Sequence, residues 1–221
     1  MTEKYVKFIQ AFYAAKRVNH YYWLHTEGDG EGGNDSLISI ENIQKIIELM
    51  TGFSISKMFL DEDSEFHRAF VERFDGGRVN VIYVLRQDED WKRFSAVKEL
   101  CHILIDSEED FQPNPDATVL ALKYDTGLFD EASSPEKDSE HLAEIIALEL
   151  IYPLEYRRID RQRLADGVSL DQIARERVVP KKYVSLGTSD SWFEICQTIW
   201  PTLADVKPAN LNDMLGEPFN G

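Results

Sequence analysis

Between Ser39 and Leu104 the apolar residues change period twice, from helical to strand-like and back. Ser39 can cap a helix in which Ile40, Ile43, Ile46, Ile47 and Met50 share one face, and Gly52 can end it. From Phe66 to Phe74 and from Arg78 to Leu85 the period is two, and the residues are mostly β-branched and aromatic. Asp75-Gly76-Gly77 lies between these runs and reads as a hairpin turn. Asp90 can then cap a helix that carries Trp91, Phe94, Val97, Cys101 and Leu104 on one stripe. A hairpin set between amphipathic helices predicts an α+β domain.

The flanks extend this plan. Tyr5, Phe8, Ile9 and Phe12 recur at helical spacing, so the first twenty residues are expected to form an amphipathic helix. Thr26 to Asp35, with four glycines, reads as a flexible loop. A further helix is expected to start at Asp138 or Ser139 and to end near Pro153. Beyond it come a basic helical stretch from Leu154 to Asp166, a capped helix from Ser169 and a tail of little periodicity. The expected division is a helix and loop over residues 1–36, a central domain over 37–185 with an insert at 106–138, and a tail over 186–221.

Charge limits the function classes. The 221 residues include 40 Asp and Glu against 24 Lys and Arg, a net charge of −16, which argues against the whole chain binding a phosphate backbone. Asp106 to Glu140 holds 11 acidic residues and two lysines, together with Pro113, Pro115 and Pro135, and reads as a long irregular connection. Cys101 and Cys196 are far apart without metal-knuckle spacing, so nothing requires an oxidising compartment. No apolar run nears the roughly 20 residues of a membrane span. Met1 to Lys7 lacks the apolar stretch of a signal peptide. A soluble cytoplasmic protein without a membrane partner is the expectation.

The chemistry-bearing motif is Lys98-Glu99-Leu100-Cys101-His102, inside an apolar helix that follows a hairpin. That is where a zinc peptidase of the HExxH type keeps two His ligands one turn apart, with the Glu beside them as general base. Here Lys98 stands in the first His position. Downstream, Glu140, Ala143, Ala147, Leu150 and Pro153 fit E-x-x-A-x-x-x-A-x-x-L-x-x-P. Small residues four apart let two helices approach closely, and a Glu leading that face can point into the gap.

With Arg93-Phe94-Ser95 leading into the first motif, this arrangement from about Glu41 to Tyr183 resembles the ImmA/IrrE family. These are metallopeptidase-like proteins of bacteria and mobile elements that cleave or control transcriptional repressors. The resemblance implies a zincin-like minimal metallopeptidase fold, with a small sheet or hairpin and packed helices. It also implies a zinc held by the two His of HExxH and by a Glu from the next helix. By position, His102 and Glu140 match ligands and Glu99 matches the general base. Lys98 departs from the family, because an ammonium does not bind zinc, and two protein ligands are one short of the usual three. Lys98 is therefore expected to supply the metal's positive charge in covalent form, pairing with Glu140 or Glu99 and holding the two helices together.

On this reading no cofactor is expected, and the chain is a regulatory pseudo-peptidase acting on a repressor-like protein partner. The alternative is an active zinc endopeptidase, with Cys101 or His141 as a substitute ligand and Glu99 as base. At helical spacing, however, His141 points about 100° away from Glu140. Plainer readings exist for each residue. Lys98 can be a surface lysine, although Phe94, Val97, Cys101 and Leu104 surround it at helical spacing. His102 can be a satisfied core histidine, Glu140 a complement to its helix dipole, and Cys101 a core residue.

A third alternative is a DNA-binding regulator. Glu155 to Lys182 contains 8 basic and five acidic residues, and Ser169 to Ala174 followed by Val178, Val179, Pro180 and Tyr183 resembles the start of a helix-turn-helix. A reader of bases needs a long recognition helix, whereas the candidate from Lys181 to Ser185 is cut short by Gly187. The motif is therefore read as structural. Its arginines are expected to hold the acidic segment or to face an acidic partner.

Overall fold

The structure, a computed structural model, describes residues 3–26, 38–60, 69–84, 87–105 and 135–204. The Gly-rich stretch after Thr26, residues 106–134 of the acidic insert and the tail beyond Ala204 lie outside the described residues. Helix α1 (Glu3–Thr26) is followed by α2 (Ile40–Thr51). The Ser39 hydroxyl accepts from the Asn42 N–H to cap α2, and Gly52 ends it in the left-handed region at φ 73°.

Three strands follow: β1 (Ser54–Leu60), β2 (Ala69–Phe74) and β3 (Arg78–Val84). The expected hairpin is β2–β3, antiparallel, with Phe74 opposite Arg78 and Ala69 opposite Tyr83. In the three-residue turn between Phe74 and Arg78, Gly76 and Gly77 both have positive φ, 77° and 73°, which glycine adopts without steric cost. Strand β1 was not expected from the sequence. It pairs parallel to β3, so the order in the sheet is β1-β3-β2. Its outer edge is closed at one end by α2, where Glu48 Oε1 accepts from the Ile55 N–H and Gln44 Nε2 donates to the Ile55 carbonyl, both at 2.8 Å.

Five helices complete the fold after α3 (Glu89–Ile105): α4 (Pro135–Ile151), α5 (Leu154–Ala165), α6 (Leu170–Arg177), α7 (Lys181–Gly187) and α8 (Asp190–Ala204). The described residues thus form a mixed α+β fold, mostly helical, with one small sheet. Among them, no helix is long and apolar enough to cross a membrane.

The sheet presents Ile55, Val79, Val81 and Tyr83 to the core, and α3 packs against β2, β3, α2 and α4. Helix α4 lies in turn against α1, whose Phe12, Ala15 and Val18 are fully buried. The first helix is therefore part of the main core. The expected tail is also partly wrong. Trp192, Cys196, Ile199 and Leu203 form a helical stripe on α8 that is buried throughout. Phe8 meets Trp192 and Phe12 meets Trp200 edge to face, at centroid distances of 5.9 and 5.4 Å. Pro201, inside the last turn of α8, masks that periodicity in the sequence.

The helix-turn-helix-like pair α6–α7 packs inward. Ser169 caps α6, and Val178 turns the chain at φ 52°. On α7, the Tyr183 ring stacks on Phe94 at 3.7 Å between centroids, and its hydroxyl donates to Glu144 at 2.6 Å. Gly187 ends α7 against buried Arg157 and Tyr152. A Cβ there would lie 2.9 Å from Arg157 Cδ and 3.3 Å from the Tyr152 ring. Gly187→Ala is therefore expected to cost about 1–3 kcal/mol through overpacking, read as a lower urea midpoint with an unchanged m-value.

Candidate functional site

Helices α3 and α4 pack side by side, and the fully buried Ala143 and Ala147 keep α4 slim where it passes between α1 and α3. At the entrance to this contact the side chains of Lys98, Glu99, His102, Ser139 and Glu140 come together. Lys98 Nζ lies 2.6 Å from Glu140 Oε2 and 3.1 Å from Glu99 Oε1. His102 Nε2 lies 3.2 Å from Glu140 Oε1, and its Nδ1 is 3.1 Å from Ser139 Oγ. From β2, Arg73 donates to the His102 carbonyl at 3.0 Å. The Lys98 side chain is only 16% exposed, which removes the reading of a surface lysine.

Charge at this site is strongly self-consistent. Burial lowers the pKa of an ammonium, but Glu140 and Glu99 overcome that and hold Lys98 above the ordinary lysine range. Burial pushes the Glu140 carboxyl up, and Lys98 and His102 pull it well below the usual carboxylate range. Lys98 and Glu140 are therefore an ion pair at neutral pH.

The zinc that the resemblance implies does not fit these donors. His102 and Glu140 face each other as two ligands would, but the remaining corner holds a protonated ammonium with no lone pair. Among the described residues, no group of three or more His, Cys, Asp or Glu side chains is placed to hold a metal ion. Neither Cys101 nor His141 joins such a group among the described residues. Cys101 is fully buried in the apolar stripe of α3, where burial pushes its thiol pKa up. His141, also buried, completes no such group.

A second polar cluster, absent from the sequence reading, ties α4 to α5 and α8. Glu149 and Arg157 are completely buried and paired at 2.5 Å. Trp192 Nε1 donates to Glu149 at 3.2 Å, and Arg157 Nη1 reaches Cys196 Sγ at 3.7 Å. One turn on, buried Asp160 accepts from the Tyr152 hydroxyl at 3.0 Å, from Arg163 at 2.9 Å and from Arg177 at 2.8 Å. A signal for this cluster was available, since Glu149 interrupts the apolar run from Ile145 to Ile151 and a buried carboxylate demands a partner. Ser139 and Arg73 carry no comparable signal.

Ion pairs also engage much of the basic stretch. Arg157, Arg163 and Arg177 pair with Glu149 and Asp160, Arg161 pairs with Asp190, and Lys181 pairs with Asp171. Arg93 of α3 donates to the Arg177 carbonyl at 2.9 Å and so binds α6 to the core. Among the described residues these paired arginines engage acids of α4, α5, α6 and α8, while residues 106–134 of the acidic insert lie outside the described residues.

Asp160 sets an acid limit. Burial raises its pKa, but Arg177 and Arg163 lower it below the ordinary value, so its folded pKa lies under its unfolded one. Such a group stabilises the fold above its unfolded pKa, about 4, and that contribution is lost as pH falls through the folded value. Urea midpoints are therefore expected to fall below about pH 4, and Asp160→Asn, less stable at pH 7, is expected to show a flatter decline.

Comparison with known protein families, with curated proteins and with solved structures finds no match for the chain.

Proposed function

We propose that the chain is a regulatory pseudo-peptidase of the ImmA/IrrE type, zincin-like in fold, which binds a repressor-like protein partner and does not hydrolyse it. The observation that carries this reading is the Lys98 ammonium, 2.6 Å from Glu140 and 3.1 Å from Glu99. It engages both the carboxylate that would be a metal ligand and the one that would activate water. A general base must reach the proton it removes, and Glu99, 5% exposed, faces the ammonium instead. What remains of a peptidase is a rigid contact between two helices beside a small sheet, suited to binding.

Metal analysis tests this directly. Protein purified without chelator is expected to hold far less than one equivalent of zinc, and Glu99→Gln is expected to leave partner binding unchanged. One equivalent of zinc that is lost in His102→Ala, together with cleavage of a partner repressor abolished by Glu99→Gln, would establish the active peptidase instead.

A further inference from the structure

We draw no further inference here: the strongest candidate, the Met58–Ile82–Phe70 row on the outer face of the three-stranded sheet, is a small apolar patch for which nothing among the described residues shows what covers it.

Discussion

Arg157→Met is expected to lower the unfolding free energy by about 3–5 kcal/mol. Glu149 would then be a carboxylate with no exposure to water and, among the described residues, only the Trp192 indole N–H as a donor. Coulomb attraction in a poorly polarisable interior is strong, but the desolvation cost of both charges is of similar size, so the intact pair contributes little net stability. The large number belongs to the orphaned charge. The double variant Glu149→Leu/Arg157→Met is accordingly expected to recover most of the loss, because neither charge remains to be desolvated. Against the roughly 5–15 kcal/mol that holds a domain together, the single variant loses a third or more. Urea denaturation of the wild type, both singles and the double measures the coupling. A double variant no more stable than Arg157→Met would show that shape matters here and charge does not.

Two substitutions at Lys98 are expected to act in opposite directions. Lys98→Met removes the cation shared by Glu99 and Glu140 and is expected to cost about 3–5 kcal/mol at pH 7. With the ammonium gone, burial and mutual repulsion raise a carboxyl pKa above its unfolded value. Its stabilising contribution is then present below the unfolded pKa and lost as pH rises, so the deficit should shrink as the solution is acidified toward pH 5. Lys98→His restores both histidines of the HExxH spacing next to Glu140, and it is expected to gain one equivalent of zinc. Zinc titration with a competing chelator reads the gain, and adding Glu140→Ala should abolish it. A Lys98→His protein that folds and binds no zinc would mean that the α3–α4 geometry differs from a peptidase's.

The change of period from Ser39 to Leu104 was enough to place α2, the β2–β3 hairpin and α3, although α3 begins at Glu89 and the expected cap Asp90 lies inside its first turn. Strand β1 escaped because its pairing is parallel and non-local, so no turn announces it and its register depends on β3. The α8 stripe was visible as a spacing of Trp192, Cys196, Ile199 and Leu203, yet Pro201 and the exposed residues between them diluted it. At the site, the place of Lys98 in the resembled motif led to the expectation that it would meet Glu140 or Glu99, and the structure sets it against both. Ser139, expected at the start of α4, lies one turn inside that helix, which begins at Pro135, and its contact with His102 depends on how α4 enters across α3. Arg157 looked like one more member of a basic surface. Only tertiary packing distinguishes it, fully buried, from the exposed Arg158 beside it.

The meeting of α1 with α8 has a consequence for how the protein is made. Phe8 and Phe12 pack on Trp192 and Trp200, and Lys16 donates to the carbonyl of Leu203. During synthesis α1 emerges early, but the aromatic surface that covers it is translated about 180 residues later, at roughly 5–20 residues per second. For on the order of ten seconds or more the nascent chain must carry an apolar helix without its final cover. Chaperone engagement on the ribosome should therefore persist until residues 192–203 have left the exit tunnel.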